Sequence, residues 1–131
     1  MKYFIESKEL VDKYVNKKIN SVEELLNELV ITKEERTVLE KRNLNIKLEL
    51  QNIEYPLMES IEKEVDSNNK KLYSNDQKRK IELEKRLNNN NNFQELNKEF
   101  EENDNKMHDY DLKITIIFAI IKTLQGCDCN K

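Results

Sequence analysis

Residues 92–126 read NFQELNKEFEENDNKMHDYDLKITIIFAIIKTLQG. Mostly apolar side chains recur in this stretch at steps of three and four residues: Phe93, Leu96, Phe100, Asn103, Met107, Tyr110, Ile114, Ile117, Ile121 and Leu124. Such heptad spacing places a stripe of side chains along one face of a helix, where a second helix can pack. It predicts a helix over residues 92–125, about 50 Å long at 1.5 Å per residue. Gly126 is expected to end this helix as its C-terminal cap residue.

A similar apolar stripe lies upstream and surrounds the polar Asn43. Its members are Leu39, Ile46, Leu50, Ile53 and Leu57, followed by Met58, Ile61 and Val65. Pro56 interrupts the stripe, because proline lacks an amide proton and its ring clashes with the preceding turn. We therefore expect one long helix over residues 33–66 that is kinked at Pro56.

Residues 2–30 are expected to form short N-terminal helices. An apolar stripe of helical spacing runs from Phe4 to Ile19, and Ser21-Val22-Glu23-Glu24 follows it. A serine three residues before a glutamate is a capping box, in which each side chain satisfies a free backbone amide of the other. Thr32-Lys33-Glu34-Glu35 repeats this spacing. Either a new helix begins at Thr32 or the preceding helix continues through it.

A turn or a loosened helix is expected in residues 67–75, which are polar and rich in serine and asparagine. Ser74 and Gln77 then offer another capping box, so a short basic helix is predicted over residues 76–88.

Five consecutive asparagines at 88–92 predict a loop, because asparagine side chains compete for backbone hydrogen bonds. Asn92 is the expected cap of the C-terminal helix, and residues 126–131 are expected to form a flexible tail.

The composition agrees with a helical fold, since the 131 residues include one glycine and one proline and 37% of them are charged. The prediction is an all-α protein in which long antiparallel coiled-coil helices form a hairpin or bundle, as a single domain over residues 1–131. The isoleucine-rich segment 114–121 is apolar around most of the helix, which a two-helix seam cannot cover. Either the helices of residues 2–30 cover it, or a second copy of the chain or another partner does. A homodimer is slightly preferred over a monomer, because long helices offer more apolar surface than one hairpin hides.

Charge is unevenly distributed along the chain, although 23 basic and 26 acidic residues give a net charge of only -3. This balance argues against a protein that coats nucleic acid, and leaves room for a local basic face. The candidate nucleic-acid face consists of Lys78, Arg79, Lys80, Lys85 and Arg86. The candidate partner-binding surface is an acidic band formed by Glu95, Glu99, Glu102, Asp109 and Asp111. The alternative is that the basic and acidic segments pair with each other inside the chain.

Metal binding and catalysis have little support in the residues. His108 has Asp104 four residues before it and Asp111 three residues after it, a spacing that chance also produces in an acidic segment. Cys127 and Cys129 supply half of a zinc site. The sequence has no glycine-rich phosphate loop, no nucleophile elbow and no second histidine. We therefore expect a protein that is not an enzyme and has neither a metal nor a cofactor.

The longest apolar run, Ile116 to Ile121, has six residues, whereas a bilayer-spanning helix needs about 20. The first residues, Met1 to Glu6, contain no secretory signal pattern. A cytoplasmic protein without a membrane association is expected.

The segment Leu72 to Leu87, together with Phe93-Gln94-Glu95-Leu96 and Asp109-Tyr110-Asp111-Leu112, resembles small helical coiled-coil proteins from early or recombination regions of bacteriophages of low-GC Gram-positive bacteria. The resemblance covers roughly residues 21–121. It implies a phage accessory protein that binds another protein: a stoichiometric inhibitor of a host defence nuclease such as a CRISPR effector. The alternative is a helper of a phage DNA-recombination or single-strand-annealing protein that contacts nucleic acid weakly.

Overall fold

The computed structural model describes residues 8–12 and 22–129, with side chains to residue 125. These residues form two long helices, α1 (Val22–Lys63) and α3 (Asn91–Cys129), and a shorter helix between them, α2 (Asp76–Asn88). Residues 8–12 are helical as well, and no strand occurs in the part of the chain described. The predicted all-α fold is confirmed. Most of the helix expected over residues 2–19 and the serine of the first capping box lie outside the described residues.

Helix α1 begins at Val22, not at residue 33, and ends at Lys63 instead of residue 66. Thr32 does not cap a new helix, because its hydroxyl donates a hydrogen bond back to the carbonyl of Glu28 at 2.7 Å. A threonine inside a helix can make this bond without ending the helix, and Thr32 is buried there. Helix α1 also continues through Pro56.

A turn joins α1 to α2, as one of the two alternatives predicted. The Asp66 carboxylate accepts hydrogen bonds from the backbone amides of Asn68 at 2.8 Å and Lys70 at 3.0 Å. Asn69 adopts a positive φ of 60°, a conformation that asparagine tolerates better than most residues. These bonds and the asparagine explain why the polar segment reverses direction at this point.

The helix caps differ from those predicted. Asn75, not Ser74, caps α2 by accepting a hydrogen bond from the amide of Lys78 at 2.8 Å. Asn90, not Asn92, caps α3 by accepting from the amide of Phe93 at 2.8 Å. The asparagine run therefore contributes a loop of only two residues, 89 and 90. Asparagine is among the best N-cap residues, which explains how the rest of the run joins the two helices.

The C-terminal end of α3 also differs from the prediction. Gly126 does not end the helix, which continues to Cys129. Residues 126–129, which were expected to belong to a flexible tail, are helical. Asn130 and Lys131 lie outside the described residues.

The chain divides into two compact units. We call them the terminal unit, which combines Met1–Arg42 with Asn103–Lys131, and the central unit, Asn43–Glu102.

The core of the terminal unit joins residues that are far apart in sequence. Its buried members are Leu10, Leu25, Leu29, Ile117, Ile120 and Ile121. The N-terminal part of the chain therefore covers the isoleucine-rich segment, as one of the two alternatives predicted. Glu28 contacts Lys113, and Arg36 contacts Asp111, so α1 and α3 run antiparallel in this unit.

The buried apolar residues of the central unit are Ile46, Ile61 and Leu87. The buried Asn43 does not interrupt this core, because its amide donates to the carbonyl of Phe100 at 3.2 Å. Along α3, every position of the predicted heptad stripe is buried or partly buried. The heptad pattern therefore identified the packed face of α3 correctly.

Candidate functional site

The arginines of α2 are held by acidic and carbonyl groups of their own unit. Arg86 donates to Glu82 at 2.9 Å and to Glu64 at 2.5 Å. These two hydrogen bonds raise the pKa of Arg86 above its ordinary value. Arg79 pairs with Asp76 and donates to the carbonyl of Tyr73. Both side chains are about three-quarters covered and both guanidinium groups are already paired, so they are poorly placed to bind phosphate.

The lysines of the same candidate face are exposed but do not share one side of α2. Lys78 and Lys85 are seven residues apart and lie on a common face. Lys80 is two residues from Lys78, about 200° around the helix, and points elsewhere. The five basic residues therefore form a small lysine pair, a separate lysine and two internally paired arginines.

We predict that Arg86→Met lowers the stability of the protein by about 1–2 kcal/mol, because the largely covered carboxylate of Glu82 loses its partner. Urea unfolding followed by circular dichroism measures this loss. Lys85→Met is the matched control, since it removes the same charge from an exposed neighbouring position. Its expected effect is below about 0.5 kcal/mol. Equal losses in the two variants would show that the Arg86 ion pairs contribute nothing specific.

The acidic band is divided between the two units. Glu95, Glu99 and Glu102 belong to the central unit and follow steps of four and three residues, so they lie on one face of α3. Glu95 and Glu102 are exposed, and Glu99 is partly buried. Asp109 and Asp111 belong to the terminal unit and are two residues apart, which places them on different sides of the helix.

Asp111 is occupied by an ion pair within the terminal unit. Its carboxylate accepts a hydrogen bond from Arg36 Nε at 2.7 Å, and this bond raises the pKa of Arg36 above its ordinary value. Asp111 is therefore part of the contact between α1 and α3, so it is less suited to bind a partner than Glu95 or Glu102.

His108 and its neighbours do not assemble a metal site. The imidazole Nδ1 lies 3.9 Å from the Asp104 carboxylate, and both side chains are exposed. Asp111, the third group of this spacing, is engaged with Arg36. No cluster of three or more metal-ligating side chains occurs in residues 8–12 and 22–125. The side chains of Cys127 and Cys129 lie outside the described residues.

A shallow groove of about 250 Å³ lies between the end of α1 and the start of α2. Met58, Ile61 and Leu83 form its apolar part, and Arg79 and Lys80 lie at its edge. Sites for drug-sized ligands are usually about 300–1,000 Å³ and carry convergent polar groups. Arg79 is already paired, so the groove shows no built binding site.

Comparison with known proteins adds no relative. No protein-family model, no curated protein and no solved structure matches this chain. The candidate sites therefore depend on the chain's own geometry. No helix in the described part of the chain is long and apolar enough to cross a membrane.

Two features of the structure were missed in the sequence. Lys113, although buried, pairs with Glu28 at 3.0 Å, a contact between residues 85 positions apart that no local pattern announces. The second feature is an exposed apolar stripe on α1 at Leu44, Leu48, Tyr55 and Met58. Its spacing of four, seven and three residues is visible in the sequence but is less prominent than the buried stripe on the same helix.

Proposed function

We propose that this protein is a non-catalytic binding protein that docks an acidic helical surface on another protein. The observation that supports the proposal is the exposure of Glu95 and Glu102, seven residues apart on one face of α3. The arginines of α2 make ion pairs elsewhere, with Glu64, Glu82 and Asp76. The contacts of these arginines therefore do not favour the alternative in which they pair with the acidic band.

The proposed partner is a protein with a basic nucleic-acid-binding channel. A row of exposed carboxylates resembles the negative charge of a nucleic-acid backbone, which such a channel normally binds. Opposite charges on the two proteins also accelerate their association. With the phage resemblance, this chemistry favours a stoichiometric inhibitor of a host defence nuclease such as a CRISPR effector.

A phage DNA-recombination or single-strand-annealing helper is the second candidate. The observation in its favour is the exposed pair Lys78 and Lys85, which share one face of α2. Two lysines neutralise few phosphates, so direct binding of nucleic acid through them should be weak and strongly dependent on salt.

The test begins with a tagged pull-down from host cells and mass spectrometry to identify the partner, followed by calorimetric titration at two salt concentrations. The proposal expects a defined stoichiometry, affinity that falls with salt, and displacement by the partner's own nucleic acid. The double reversal Glu95→Lys/Glu102→Lys should weaken binding at least about tenfold. Glu34→Lys/Glu35→Lys is the matched control, because it makes the same change of charge at exposed positions of α1.

Equal affinity of the two double variants, or the absence of any specific partner, contradicts docking through the acidic surface. Binding of single-stranded DNA by the wild-type protein, lost in Lys78→Glu/Lys85→Glu, would instead favour the recombination helper.

A further inference from the structure

The outer face of α1 in the central unit carries a row of exposed apolar side chains. Leu44 is 60% exposed, Leu48 and Tyr55 are each 58% exposed, and Met58 is 40% exposed. With Gln51 they follow steps of four, three, four and three residues. We call residues 44, 48, 51, 55 and 58 the outer stripe. It lies on the side of α1 opposite the buried Ile46 and the partly buried Ile53. Its last member, Met58, also lines the groove between α1 and α2.

This spacing matches the seam positions of a coiled coil, with Gln51 as the one polar member. Isolated exposed apolar residues are common on protein surfaces, but a continuous row at heptad spacing is typical of a helix that packs against another helix. The inner stripe of α1 is already used by the core of the central unit. The outer stripe therefore has the pattern of an interface.

We propose that the outer stripe is the dimer interface of this protein and that its occupant is the same stripe of a second copy, in antiparallel orientation. The argument for self-association comes from the polar residues beside the stripe. Lys47 and Glu54 lie along one edge, and Asn45 and Asn52 lie along the other. Residues at these edge positions set the partner and register of coiled coils.

The edge residues are complementary to themselves in one register. When the two-fold axis passes between residues 49 and 50, Lys47 lies opposite Glu54 of the second copy, and the symmetry repeats this pair. On the other edge, Asn45 lies opposite Asn52 of the second copy. In the seam, Leu44 packs against Tyr55 and Leu48 against Gln51 of the second copy.

The alternative registers bring like charges together. A shift of one heptad in either direction places Lys47 against Lys47 or Glu54 against Glu54 of the second copy. A parallel, in-register pair places Glu54 against Glu59 on both sides. Since like charges across an interface are unfavourable, the pattern favours the antiparallel register with two opposite-charge pairs.

The size of the stripe indicates a weak dimer. Leu44, Leu48 and Tyr55 of each copy pack in this register, whereas Met58 falls opposite Lys41 of the second copy. Together with the edge residues the contact buries on the order of 1,000 Å² in total, at the lower end of specific interfaces. Gln51 further weakens the two central layers, because its amide loses water when the seam closes. We expect a dissociation constant on the order of tens of micromolar.

Sedimentation velocity from about 1 to 300 µM, under reducing conditions, tests the proposal across the range in which such a dimer forms. Leu48→Asp should raise the dissociation constant at least about thirtyfold, because the symmetry places two aspartates in the seam. Ile81→Asp, which changes a 60% exposed residue on α2, is the control and should dimerise like the wild type. Circular dichroism verifies that each variant is folded.

A charge exchange tests the register independently of apolar packing. Lys47→Glu alone and Glu54→Lys alone should each weaken the homodimer about tenfold, because each replaces two attractive pairs by two repulsive ones. An equimolar mixture of the two variants should form a heterodimer as tight as the wild-type homodimer, since both attractive pairs return.

A wild-type protein that stays monomeric at 300 µM overturns the proposal and leaves the outer stripe for a different protein. A dimer indifferent to Leu48→Asp, or a mixture that forms no heterodimer, overturns it as well. The proposal does not depend on the acidic surface of α3, so Glu95→Lys/Glu102→Lys should dimerise normally even if it no longer binds the partner.

Discussion

Ile117→Asp is expected to unfold the terminal unit, with a loss of at least about 4 kcal/mol. Ile117 is 0% exposed and is surrounded by Leu25, Leu29, Ile120 and Ile121. An aspartate there would either remain charged without a partner or bind a proton in an apolar environment, and both states cost free energy. Loss of circular dichroism signal at a much lower urea concentration is the expected measurement.

Phe118→Asp is the matched control for this variant. Phe118 is the next residue of α3, is 50% exposed, and contacts the ammonium group of Lys33 through its ring at 5.6 Å. An aspartate at this position stays in water near Lys33, so the expected loss is below about 1 kcal/mol. If Ile117→Asp and Phe118→Asp unfold at similar urea concentrations, the core assigned to the terminal unit is wrong.

Ile46→Asp should have the second largest effect and act on the central unit. Ile46 is 0% exposed and lies near the buried Asn43, whose amide is already engaged with the carbonyl of Phe100. The new carboxylate would be buried in an apolar environment, so we expect the free energy of unfolding to fall by about 3–5 kcal/mol.

Thermal unfolding at low micromolar protein measures the effect of Ile46→Asp in the monomer. Asn45→Asp is the control, because it places the same carboxylate one residue earlier on the exposed side of α1. Its melting temperature should remain within about 3 °C of the wild type. A marginal effect of Ile46→Asp would mean that this face of α1 is not packed.

The helical fold could be predicted from the sequence because the heptad spacing of residues 93–124 admits only one regular structure. The ends of the helices could not be placed as well. The asparagine run offers several possible N-caps, and the sequence does not distinguish Asn90, which accepts the capping hydrogen bond, from its neighbours. Thr32 has the sequence of a cap, but it is buried and its hydroxyl donates back to the carbonyl of Glu28 within the continuous helix α1.

The candidate site was predictable only as a set of charges. Which charges face solvent depends on contacts between distant residues, such as Arg36 with Asp111 and Arg86 with Glu64. These pairs are 75 and 22 residues apart, beyond the reach of helical periodicity. For the same reason, the sequence could name Asp111 and Arg86 as candidates but could not show that both are already engaged.

The order in which the chain is synthesised has a consequence for the terminal unit. Leu25 and Leu29 are made before the central unit, but their partners Ile117 and Ile121 belong to the 29-residue segment Asn103–Lys131, which follows it. All of the central unit precedes those residues, so it can fold first. At about 5–20 residues per second, translation of the final segment takes roughly 1.5–6 seconds. During that interval the early leucines lack their isoleucine partners, so nascent chains should be most open to chaperones and proteases there.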